Sequence, residues 1–216
     1  MWFLLVVVLT IAAVDALNPS TVLPALLYAL GPNGRRDVAL FTTAVFAVST
    51  IGGLVLVFGP GKALLSFVSH PRPHVVHIVE LSIGILLLGA AVFLWVTRDH
   101  VRARLTQERK GTGGSAFYVG AGIMATELPT ALPYFGALIA ITEGTHGIVG
   151  PLTLVLVYNA VFVAPLIAIL VLIVAAGPSG ARVAARVRMR MIRHAPVLLP
   201  LLVGGLGVAL IIAAFV

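Results

Sequence analysis

Apolar runs too long for a water-soluble core dominate this chain. They lie at roughly 2–30, 38–58, 74–97, 115–141, 149–175 and 195–216, and a bilayer core of about 30 Å takes about 20 helical residues to cross. Within lipid each backbone N–H and C=O must be satisfied inside its own segment, so such runs are helices. Sixty per cent of the residues are hydrophobic and ten per cent charged, which leaves nothing for a separate soluble domain. The expected fold is an all-α integral membrane protein with six transmembrane helices. Val14-Asp15-Ala16 loosely resembles a signal-peptidase site. No Lys or Arg precedes the first run, however, and the run resumes past Pro19, so it reads as a retained helix.

The loops orient the spans. Arg35 and Arg36 follow the first span. Arg98, Arg102, Arg104, Arg109 and Lys110 follow the third, and Arg182, Arg186, Arg188, Arg190 and Arg193 follow the fifth. The other side has only Lys62 and Arg72. The positive-inside rule makes the rich side cytoplasmic and both termini external, in a bacterial inner membrane. A five- or seven-span reading would destroy this segregation. Three spans then precede the basic linker at 98–114 and three follow it. An odd number per half makes the second half enter from the opposite side, and with an acid–proline motif repeated in spans 1 and 4 it makes 1–97 and 115–216 inverted repeats. The linker ends in Gly111-Thr112-Gly113-Gly114, a hinge rather than a phosphate loop, because no strand precedes it. In 179–194, arginines recur at spacings of four, four and three beside Val183, Val187 and Met191. That pattern fits an amphipathic helix touching anionic headgroups, or simply a loop that sets topology.

Two stretches break the apolar pattern at depth. The first is Asp15-Ala16-Leu17-Asn18-Pro19-Ser20-Thr21-Val22-Leu23-Pro24, and the second is Glu127-Leu128-Pro129-Thr130-Ala131-Leu132-Pro133-Tyr134. Proline lacks an N–H and its ring crowds the carbonyl four residues back. Helices 1 and 4 are therefore expected to break, at Pro19 and Pro24 in one and at Pro129 and Pro133 in the other. Matched broken helices in two halves point to a transporter site.

At 1.5 Å per residue, Asp15 lies about 20 Å from the outer end of its span and Glu127 about 18 Å from the inner end of its own. Asn159 lies about 15 Å into span 5, with Ser49 and Thr50 similarly deep in span 2. All can meet near the midplane, and no Lys or Arg occupies a span core. A carboxylate there stays protonated, faces a wet cavity, or holds a cation or proton. Alternatively, each acid caps the N-terminus of a half-helix. Asn18 and Asn159 can bind substrate or bridge helices. Tyr134 can line a cavity or pack. Gly52-Gly53 and Gly204-Gly205-Leu206-Gly207 are expected to be close-packing surfaces.

His74, His77 and Glu80 share one face at the outer start of span 3. They are either a weak metal site or proton relay, or an ordinary interfacial helix start. The absence of cysteine excludes disulfides and thiolate chemistry. No Ser–His, HExxH or paired-acid constellation supports catalysis, so no enzyme activity and no cofactor is expected. The net charge of +7 sits in topology-setting loops, so nucleic acid is not expected as a partner.

Six spans in two halves, with Asp15-Ala-Leu-Asn18-Pro19 and Glu127-Leu-Pro129-Thr130-Ala-Leu-Pro133-Tyr134, resemble the LysE transporter superfamily. Within it the chain looks most like the GAP/Sap lipid-addressing group. The resemblance covers the whole chain in span plan, but its specific part is these two motifs. It implies movement of cell-envelope glycolipids, such as sulfolipid or glycopeptidolipid, toward the outer surface. The expected site is then Asp15, Asn18, Pro19, Glu127, Pro129, Thr130, Pro133, Tyr134 and Asn159, with the acids coupling motion to protons. One alternative is a small-solute exporter for amino acids or metal cations. Another is a scaffold that docks envelope-lipid synthesis or export proteins, with a homo-oligomer allowed. The thiol-disulfide branch of the superfamily fails for want of cysteine.

Overall fold

The computed structural model describes residues 2–59, 73–97 and 116–213. The side chains of 73–80 and of Thr130 lie outside that description, as does all of the expected linker at 98–114. Among the described residues the chain is helical, with no strand. The helices are α1 (Trp2–Asp15), α2 (Pro19–Ala29), α3 (Gly34–Phe58), α4 (Pro73–Val96), α5 (Ala116–Glu127), α6 (Leu132–Gly144), α7 (Val149–Phe162), α8 (Ala164–Ala175) and α9 (Gly177–Ala213). A short 3₁₀ turn, Leu128–Thr130, links α5 to α6.

The chain forms two compact bodies, one of residues 1–69 and 113–188, the other of 70–112 and 189–216. Each body draws on both sides of the expected linker.

In the first body α3 is central, packed against α2, α5, α6, α7 and α8. It alone among the described helices is long and apolar enough to cross a bilayer unaided. Three bent pairs reach that length only together: α1–α2 at 57°, α5–α6 at 73° and α7–α8 at 49°. The first two bends fall where the prolines of the repeated motif placed them. Pro19 begins α2, and the carbonyl of Asp15 that it cannot serve accepts instead from the Asn18 N–H at 3.1 Å. Pro24 does not break the chain as expected. Asn18 and Pro19 have already restarted the helix, and Pro24 rides inside α2. The third bend was not foreseen. Pro165 stands in the first turn of α8, where a missing N–H costs least.

Elsewhere α1 packs on α6 and α7, and α2 packs on α5 and α8. Small residues set the closest approaches, as expected where lipid removes most of the hydrophobic drive between helices. A Cβ on Gly120 of α5 would come within 2.8 Å of the Phe41 carbonyl of α3.

In the second body α4 meets the last part of α9 through glycine. A Cβ on Gly84 would lie 2.9 Å from the Gly207 carbonyl, and one on Gly207 would lie 2.9 Å from the Gly84 carbonyl. Of the expected small-residue patch, Gly204 faces Ala91, whereas Gly205 faces open space. The basic 179–194 segment and the final apolar run are one continuous helix, α9, with Pro196 and Pro200 inside it. Arg182, Arg186, Arg190 and Arg193 are all exposed on it.

Candidate functional site: a cavity between two helix breaks

The α1–α2 and α5–α6 breaks line one cavity of about 210 Å³. Asp15 and Asn18 enter from the first break, and Glu127, Ala131 and Pro133 from the second. Tyr134 of α6, Tyr158 and Asn159 of α7, and Ser49 of α3 complete its polar wall. Met124 and Phe162 supply apolar surface. Pro133 is both a wall residue and exposed.

Asn18 joins the two breaks. Its Oδ1 accepts from the Ser20 N–H at 3.1 Å and from the Ser20 hydroxyl at 2.9 Å, capping α2. Its Nδ2 donates to Glu127 Oε2 at 3.2 Å. One amide thus satisfies a helix start with its oxygen and a distant carboxylate with its nitrogen. Neither acid serves as the expected half-helix cap: Asn18 caps α2, and Glu127, at the start of the 3₁₀ turn, makes no side-chain cap bond. Each acid is the last residue of one half-helix, at the break where the next begins. Among the described residues no Lys, Arg or His lines the cavity.

Hydroxyl and amide groups take the place of a cation. The Tyr158 hydroxyl donates to Asp15 Oδ2 at 2.8 Å. Asn159 is fully buried. Its Nδ2 donates to the Val155 carbonyl at 2.9 Å and to the Tyr134 hydroxyl at 3.1 Å, and that hydroxyl donates to the Ser49 carbonyl at 2.7 Å. Two of these acceptors are carbonyls, so the direction of the chain is fixed and the amide orientation with it. Asn159 Oδ1 remains buried without a partner. The rings of Tyr134 and Tyr158 lie 4.9 Å apart at 39° and cross-brace α6 and α7. Gly53 makes this possible: a Cβ there would overlap the Tyr134 hydroxyl. Gly52 faces Leu128 of the second break, where an added Cβ would lie 2.6 Å from Leu128 Cδ1.

Of the residues expected at the site, Asp15, Asn18, Glu127, Pro133, Tyr134 and Asn159 line the cavity. Asn159 also bridges helices, and Tyr134 both lines the cavity and packs. Pro19 shapes the break as the first residue of α2. Pro129 is exposed in the 3₁₀ turn. The Thr130 side chain lies outside the described residues, as do those of His74, His77 and Glu80. Ser49 contributes its backbone carbonyl, while Thr50 is buried with an unpartnered hydroxyl and does not line the cavity. Sequence reasoning missed Tyr158. Its signal was adjacency to Asn159, a phenol and an amide side by side in an apolar helix.

No curated protein matches the chain, and no solved structure does. The chain matches a family model described as Sap, sulfolipid-1-addressing protein, over residues 8–215. Coverage of that extent, over a chain of apolar and broken helices, makes this a membrane protein that belongs to the Sap, sulfolipid-1-addressing protein family.

Proposed function

We propose that the protein is a multi-pass inner-membrane transporter that moves a cell-envelope glycolipid or related amphiphile toward the outer surface. The observation that carries this is the shared cavity: two proline breaks, far apart in sequence, place two carboxyl groups, two amides and two tyrosines together among apolar helices. Groups so expensive to bury mark a substrate or ion path by default. The family's description concerns the addressing of a sulfolipid, which agrees with a lipid cargo.

Six spans in two inverted halves, as in LysE-type transporters, complete the reading. The packing of the first body supports it. Exchanging α1 with α5, α2 with α6, and α3 with the α7–α8 pair maps the pairings between α1–α2, α3, α5–α6 and α7–α8 onto one another, with the pairing of α3 and α7–α8 mapping onto itself. The α3–α5 contact becomes α7–α1, the α1–α6 contact becomes α5–α2, and the α2–α8 contact becomes α6–α3. Two halves related by a pseudo-two-fold axis produce that closure, and they can rock about the cavity between them. The arginines of α9 would then lie at the cytoplasmic headgroups.

The size of the cavity favours one other reading. About 210 Å³ is below the usual range of about 300–1,000 Å³ for ligand pockets, so a small solute fits and an acylated lipid does not fit whole. The test is surface display of envelope lipid in cells whose only copy is Asp15→Asn or Glu127→Gln. Loss of display at normal protein levels is expected. Normal display in both would refute the site, and if deletion of the basic segment of α9 then abolished display, a scaffold would be the better description.

A further inference from the structure

We infer that the cavity is a binding site for one small monovalent cation, a sodium ion or a hydronium, held by oxygen ligands. This deepens the transport reading by naming what the acids hold, although binding itself does not require transport. The donor inventory leads to it. Every hydrogen on Asn159 Nδ2 and on the Tyr134 hydroxyl is spent on a neighbouring acceptor. The wall residues then offer three acceptor groups: the Asp15 carboxylate, the Glu127 carboxylate, and the amide oxygen of Asn159, a buried wall residue whose Oδ1 has no partner.

The third ligand is independent of the acids. An orphaned buried acceptor is costly, and a cation satisfies it together with both carboxylates. The ends of α1 and α5 meet the starts of α2 and α6 at these breaks, and half-helix ends of this kind line the ion sites of broken membrane helices. The Asn159–Tyr134–Ser49 chain ends on a carbonyl, which cannot pass a proton onward. It is a brace that fixes the oxygen, not a wire.

The experiment is equilibrium binding of radiolabelled sodium to the full chain in lipid nanodiscs at alkaline pH, with N-methylglucamine chloride balancing ionic strength. Saturable binding is expected, weakened at least tenfold by Asp15→Asn and by Asn159→Leu. Asn159→Asp should bind at least as well as the parent. Both Asn159 variants lose the amide donor to Tyr134; Asn159→Asp keeps an oxygen ligand and adds a charge, and Asn159→Leu offers neither. If the natural ion is hydronium, sodium does not bind. Acidification in the presence of a pH dye then shows proton uptake that Asp15→Asn and Asn159→Leu reduce and Asn159→Asp does not. Neither ion bound, or equal binding in Asn159→Leu and Asn159→Asp, overturns the inference. Monodisperse elution of each variant confirms that it is folded. Ion binding with lipid display intact in Asp15→Asn would reject the transport reading alone. Lost display without ion binding would reject the cation site alone.

Discussion

The two helix breaks solve one problem by different means. At the first, α2 restarts behind its own cap: Asn18 accepts from the Ser20 N–H and Pro19 begins the helix, with a bend of 57°. At the second, Ala131 offers α6 no side-chain cap, and the chain crosses a 3₁₀ turn through a bend of 73°. Its support comes from α3, where Gly52 receives Leu128 and Gly53 receives the Tyr134 hydroxyl on its way to the Ser49 carbonyl. The first break is held locally and the second by its neighbours. Local caps survive when helices move apart and tertiary props do not, so the second break leans more heavily on α3 for its shape.

The largest effect should come from removing the prop. Gly53→Val drives a branched side chain into Tyr134, and over-packing of that kind costs about 3 kcal/mol. A marked fall in melting temperature in detergent is expected. Gly52→Ala meets only the end of Leu128, a flexible chain, and should cost about 1 kcal/mol or less. Equal losses at the two glycines would remove Tyr134 as the reason for the difference.

Next comes the cap. Asn18→Ala should cost about 1 kcal/mol through the start of α2, and it also strips a donor from Glu127. Asn18→Ser keeps a capping oxygen but is too short to reach Glu127. It should melt close to the parent while lipid display falls. If Asn18→Ser were as unstable as Asn18→Ala, the bond across to Glu127 would be the structural contact and capping the lesser one.

The smallest effect is expected at Tyr158→Phe, which deletes one hydrogen bond to Asp15 and keeps the ring stack on Tyr134. A membrane hydrogen bond of this kind is worth about 0.6 kcal/mol. The melting temperature should barely move. A large fall would mean that Asp15 depends on this phenol to be tolerated at all.

Much of this arrangement was legible in the residues. Proline beside an acid in an apolar run forces a break at a nameable place, and Asp15, Asn18 and Glu127 were found by being polar where lipid should be. Glycine pairs announced close approach, though Gly205 faces open space and only the packed helices reveal it. Prolines alone were ambiguous. Pro165 accompanies a bend, whereas Pro24, Pro196 and Pro200 ride inside continuous helices. The outcome depends on whether a cap restarts the chain nearby and on what packs outside the bend. Tyr158 was silent because an aromatic residue in a membrane helix reads equally as packing. Which end of a half-helix each acid occupies also lay beyond reach. It turns on a boundary of two or three residues, yet it reverses the sign of the dipole the acid meets.

The meeting of the two breaks can be measured directly, since the chain has no native cysteine and introduced thiols report alone. Asn18→Cys paired with Glu127→Cys, treated in native membranes with a short bifunctional methanethiosulfonate, should cross-link in high yield, while Thr10→Cys paired with Glu127→Cys should not. Cross-linking no better than that control would place the breaks apart and contradict a shared cavity.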